Sequence, residues 1–141
     1  MVVIAAVDRS DRAPAVVEQA HRHGDAFDEP VQVVHVLTSS EFIELERTSV
    51  RETGHAAEMD EVKRVATNIA EEIAERVDGE STPVGLVGNP AQELIAYADQ
   101  EDAAFVVLSP RRKSPTGKAL FGSVAQSVLL NVGCPVVTIV D

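Results

Sequence analysis

The stretch VGLVGNPAQELIAYADQEDAAFVVL, from Val84 to Leu108, decides the fold, because its hydrophobic period changes twice along its length. Val84 to Val87 and Phe105 to Leu108 are short, nearly continuous apolar runs, the pattern of strands covered on both faces. Between them Ala91, Leu94, Ile95 and Ala98 recur at the three- and four-residue spacing of one helix face. Asn89 suits the cap of that helix, Pro90 its first position, and Gln92 completes a capping-box-like pattern. Strand, helix and strand in so short a compass form a parallel crossover unit, and such units build sheets with helices on both faces.

The same alternation continues in both directions. Val2 to Val7, Val31 to Leu37 and Val136 to Val140 read as further strands. A first helix is predicted after Ser10 or Asp11, with Pro14 tolerated in its opening turn and Val16, Val17 and Ala20 facing inward. Val62, Val65, Ala66, Ile69, Ala70, Ile73 and Val77 line one face of another helix. A last helix is predicted from about Phe121 to Val132, stopping at Gly133 ahead of Cys134-Pro135. Ser39 to His55 is the less regular part: Phe42, Ile43 and Leu45 are apolar, but Thr48, Ser49 and Gly54 weigh against one unbroken helix, and the segment is read as a mobile flap. The prediction is an α/β, three-layer, doubly wound domain over residues 1–141 with five mainly parallel strands.

Composition limits what such a domain could do. The chain has 141 residues, 45% of them hydrophobic, and a formal net charge of −11. No apolar run approaches the ~20 residues that span a bilayer, and the start lacks the basic residues and small-residue cleavage site of a signal peptide. A soluble, cytoplasmic protein is expected, with no membrane partner. Net negative charge argues against nucleic acid, since the average surface repels phosphate. Cys134 is the one cysteine, and His21, His23, His35 and His55 show no metal-ligand spacing, so no metal site is expected. His35 lies inside an apolar run and reads as a packing residue. The acidity also suits a protein of a very salty cytoplasm.

The charge is unevenly placed. Residues 1–102 carry eight basic and twenty-two acidic side chains, a formal −14, whereas residues 103–140 have no Asp or Glu and carry +4. All four of those cations, Arg111, Arg112, Lys113 and Lys118, fall in SPRRKSPTGKALFGS between Ser109 and Ser123. In doubly wound sheets a ligand settles outside the carboxyl ends of the strands, where the strand order reverses. The segments expected there are Asp8 to Ser10, Val36 to Ser39, Gly88-Asn89 and Ser109 to Gly117. Gly122 and Ser123 open the last helix, whose free N–H groups and dipole favour an anion.

Four segments together resemble the universal stress protein family of the adenine-nucleotide α-hydrolase-like fold: VVIAAVDRSDRA (2–13), HVL (35–37), GNPAQELIAYADQEDAAFVVL (88–108) and GSVAQSVLLNVGCPVVTIV (122–140). The resemblance implies the strand order 3-2-1-4-5. It also implies a crevice that binds ATP or another adenine nucleotide, with a divalent cation only if nucleotide is bound. By position, Asp8 matches an acidic residue near the nucleotide and Val36 the strand residue whose backbone meets the adenine edge. Gly122, Ser123 and Val124 match the phosphate-binding end of a signature that runs Gly, two residues, Gly, nine residues, then Gly with Ser or Thr. Counting back from Gly122 puts Ser109 and Arg112 where that signature has glycine. Two readings of the loop follow: Arg111, Arg112 and Lys118, with Gly117 as a flexible point, clamp phosphate by side chain, or the loop holds no physiological nucleotide.

Other α/β chemistries lack their parts. PTGKA has Arg112 and Ala119 where a phosphate-binding P-loop needs Gly and Ser or Thr. No GxGxxG follows the first strand, as a dinucleotide-binding oxidoreductase requires. The loop VDRSDRA does not match the Ser- and Gly-rich loop of a pyrophosphatase, and no Asp closes the third strand as in a phosphoacceptor receiver. No set of nucleophile, base and orienting group emerges, so no catalytic residue is assigned. The leading expectation is a homodimeric stress-response or regulatory module, pairing through the last strand, Pro135 to Val140, and acting on an unknown protein partner. The alternatives are a weak nucleotide hydrolase using the basic loop 111–118 and a protein-interaction module that binds no nucleotide.

Overall fold

In a computed structural model that describes residues 1–55, 58–110, 112–113, 119–120 and 122–140, the backbone alone at the two short pairs, the expected crossovers are formed. The elements in chain order are β1 (Val2–Ala6), α1 (Ala13–Phe27), β2 (Val31–Leu37), α2 (Ser39–Thr53), α3 (Met59–Glu75), β3 (Thr82–Val87), α4 (Pro90–Gln100), β4 (Ala103–Leu108), β5 (Arg112–Lys113), β6 (Ala119–Leu120), α5 (Ser123–Asn131) and β7 (Val136–Thr138). Five strands form one sheet in the order β3-β2-β1-β4-β7, with every neighbouring pair parallel. This is the 3-2-1-4-5 order expected above. β5 and β6 pair antiparallel as a separate two-stranded sheet, Arg112 opposite Leu120 and Lys113 opposite Ala119.

The continuous apolar runs are explained by burial from both sides. On one face Val3, Ala5, Val31, Val33 and Val107 pack under Val16, Val17 and Ala20 of α1 and Ala70 and Ile73 of α3. On the other, Ile4, Val34, Val36, Val106 and Leu108 pack under Ala91, Leu94 and Ala98 of α4 and Ala125 and Val128 of α5. Successive residues of one strand therefore both meet apolar partners. Asn89 caps α4 as its sequence suggested, Oδ1 accepting from Gln92 N–H at 3.1 Å.

The segment after β2 differs from its expectation. Ser39 to Thr53 is one unbroken helix, with Thr48 and Ser49 inside it and Gly54 as its left-handed C-terminal cap at φ 79°. A capping box explains it. Thr38 Oγ1 accepts from Glu41 N–H at 3.3 Å, while Glu41 Oε1 accepts from Thr38 N–H at 3.4 Å and from its hydroxyl at 3.2 Å. Two orphan N–H groups are thereby satisfied, and residues of modest helix propensity are carried along. Phe42 and Leu45 pack partly buried against Leu37, Val62 and Ala66. The far end of α5 also departs slightly: Val132, not Gly133, caps it, in an extended conformation.

Candidate functional site

The sheet order reverses between β1 and β4, and a cavity of about 310 Å³ lies against the carboxyl ends of β1, β2 and β4. That volume falls in the range of small-ligand sites. Asp8, Arg9 and Ser10 line it from the turn after β1, Val36 and Thr38 from the end of β2, and Ser109 from the end of β4. Gly122, Val124 and Ala125 close it from the start of α5, and Pro90 and Leu94 from α4. Val36, Leu94 and Leu108 make an apolar wall, and all three are buried.

Two of these turns explain themselves locally. Asp8 Oδ1 accepts the N–H of Ser10 at 2.9 Å, an Asx turn that folds the chain back over the end of β1. At α5, Gly122 takes the N-cap position with φ −68° and ψ 169°, and no side chain caps the helix. Gln126 N–H closes the first helical turn on Gly122 O at 3.0 Å. Among the described residues no side chain caps the N–H groups of the residues before it, and this end of α5 borders the cavity.

Ser109, which replaces a signature glycine, lies within the right-handed or extended backbone range. Among the described residues only Asp28 and Asp102 are non-glycine residues with positive φ. Its hydroxyl donates to Ile139 O at 3.1 Å, so the side chain is tied to the strand beyond and no left-handed strain opposes the replacement. Arg112 is strand backbone in β5. Arg111, Gly117 and Lys118 lie outside the described residues. Ser123 is the exposed first residue of α5 and does not line the cavity, in contrast to Asp8, Val36, Ser109, Gly122 and Val124. Gly88 and Asn89 do not line it either; they serve the start of α4.

Two polar residues in the cavity wall were missed by sequence reasoning, which read His35 as packing and did not single out Glu41. His35 is buried, with Nδ1 3.0 Å from Val7 O. A carbonyl only accepts, so Nδ1 carries the proton. Glu41 reaches the cavity because the capping box folds it back over Thr38. Its Oε2 lies 3.6 Å from Arg9 Nη2 and 4.0 Å from His35 Nε2. The Thr38-x-x-Glu41 pattern was the signal that could have found it. Among the described residues no group of three or more His, Cys, Asp or Glu is placed to hold a metal, and no helix is long and apolar enough to cross a membrane.

Comparison with known proteins identifies the family of this fold. The model of the universal stress protein family matches residues 1–139. A universal stress protein of Methanocaldococcus jannaschii is 28% identical over 97% of this chain and 80% of its own length. The solved universal stress protein of Archaeoglobus fulgidus is 33% identical and superposes with a TM-score of 0.63, covering 99% of this chain and 98% of that one. A universal stress protein of the same organism, solved in complex with dAMP, is 28% identical with a TM-score of 0.63 over 99% and 97% of the two chains. A family match over residues 1–139, with a solved relative 33% identical across 99% of this chain, means that the chain belongs to the universal stress protein family.

Proposed function

We propose that the crevice binds an adenine nucleotide, ATP or a relative of it, and that the protein is a nucleotide-responsive regulatory module. The observation that carries this reading is the meeting of an apolar slot with an uncapped helix start in one cavity at the reversal of strand order. Val36, Leu94 and Leu108 suit a base, and the N-terminus of α5 suits a phosphate. The A. fulgidus relative bound to dAMP supports the choice of ligand class. Arg111, Arg112 and Lys118 then contact phosphates by side chain, replacing part of a glycine cradle with charge. A divalent cation carried by the phosphates would meet Asp8, one of whose oxygens is already taken by Ser10 N–H.

In this reading the 141 residues act as one cytoplasmic domain, paired through Pro135 to Val140, and the output is a change of contact with another protein. Hydrolysis in this reading is at most slow and incidental. The test is thermal unfolding with and without ATP or AMP. Ligand at 100 times its dissociation constant should add about 2.7 kcal/mol of stability. Replacing Arg111, Arg112 and Lys118 together by Ala should remove that gain with ATP. An unchanged melting temperature of the native protein at millimolar nucleotide would sink the reading.

A further inference from the structure

His35 Nε2 and Glu41 Oε2 are buried atoms that line the cavity and have no hydrogen-bond partner among the described residues. The His35 side chain is only 6% exposed, and its Nδ1 is committed to Val7 O. In the neutral ring Nε2 therefore offers a lone pair and no proton. Glu41 Oε1 is held by Thr38, so the carboxylate cannot turn away without opening the cap of α2. Two fixed acceptors thus face each other across 4.0 Å, too far for a direct hydrogen bond and close enough for one donating group to reach both.

We propose that His35 and Glu41 form a paired acceptor that reads hydrogen-bond donors on the bound nucleotide, making Glu41 a specificity-determining residue of the crevice. The inference rests on the nucleotide reading above. The pair requires two donatable hydrogens on neighbouring atoms or on one atom, which a nucleoside phosphate supplies either as vicinal sugar hydroxyls or as the exocyclic amine of its base. A keto oxygen or a phosphate in the same place would set acceptor against acceptor and be rejected. Arg9, more than half exposed, lies 3.6 Å from Glu41 Oε2 and balances its charge.

Titration calorimetry compares AMP, 2′-deoxy-AMP and IMP on the native protein, on Glu41→Gln and on Glu44→Gln, an exposed neighbour in α2. The native protein should bind AMP about tenfold more tightly than one of the two analogues. A weak 2′-deoxy-AMP identifies the sugar as the donor, and a weak IMP identifies the amine. Glu41→Gln, whose amide can donate to His35 from within, should bring all three affinities within about twofold, while Glu44→Gln keeps the preference. Equal affinities in the native protein would overturn the inference with no variant needed. So would a Glu41→Gln protein in which all three ligands weaken alike and the preference survives. Binding of none of the three by the native protein would overturn the nucleotide reading as well; binding without discrimination overturns only this inference.

Discussion

Gly85 of β3 lies directly against the backbone of α3 at Thr67. A methyl group built on Gly85 would overlap Thr67 N and come within 2.6 Å of Lys63 O. Both atoms belong to helix backbone, which cannot rotate out of the way as a side chain would. Gly85→Ala should therefore push α3 off the sheet and destabilise the protein by about 1–3 kcal/mol. Urea denaturation measures it, and a loss below about 0.5 kcal/mol would show that the contact is soft.

His35 couples β2 to the end of β1 through Val7 O, the residue from which the Asp8 turn departs. His35→Leu keeps the volume but leaves a buried carbonyl without its partner. The expected cost is about 1–3 kcal/mol in the same assay.

Thr38→Ala removes one side of the capping box. The cost should be about 1 kcal/mol, and it should be local. No residue of α2 is fully buried, so its amides should exchange faster while those of Val3, Ile4 and Val107, which are wholly buried, barely change. Hydrogen exchange resolved by residue separates this outcome from a global loss.

Burial, with the carboxylate of Glu101 nearby, raises the Tyr97 phenol above its ordinary value of about 10. In the unfolded chain the phenol ionises first. The native state therefore holds the extra proton, and stability is lost as pH rises from about 10 toward the folded value. Its hydroxyl donates to Gln32 Oε1 at 2.6 Å, and Gln32 in turn donates to Glu101 at 3.2 Å. Tyr97→Phe should flatten the alkaline limb of a stability–pH profile and leave the neutral plateau slightly lower.

β7 is an edge strand. Pro135 O accepts from Val106 and Ile139 N–H donates to Leu108, so the alternation of the strand turns Thr138 N–H toward the open edge. If two copies pair there, Thr138→Pro should remove an outward donor and yield a monomer while sparing the bonds to β4. Light scattering of the native and variant proteins decides it, and a native monomer would reject the last-strand dimer.

Much of this was legible in the sequence because burial on two faces leaves an uninterrupted apolar run, here short, rich in β-branched residues and alternating with helical periods. β2 is the clearest instance, with Val33, Val34, Val36 and Leu37 all buried. The crevice followed from topology, which needs only the order of elements. α2 was misjudged because Thr48 and Ser49 were weighed by intrinsic propensity, whereas the helix is set by Thr38 and Glu41 at its start. Glu41 was missed for the same reason. Its place in the cavity comes from a hydrogen bond between neighbours and not from a hydrophobic period. How Ser109 fills a signature glycine position was hidden because backbone angle is invisible in sequence; its hydroxyl finds Ile139 O and its φ is not positive.

The Glu41 carboxylate holds the first turn of α2 with one oxygen and faces the cavity with the other. A ligand that draws this group inward pulls on the cap, and loosening of the cap moves the group a ligand would meet. Occupancy of the crevice and order in the outermost helix are thus two readings of one side chain, and a partner protein that senses α2 would learn the state of the crevice without touching it.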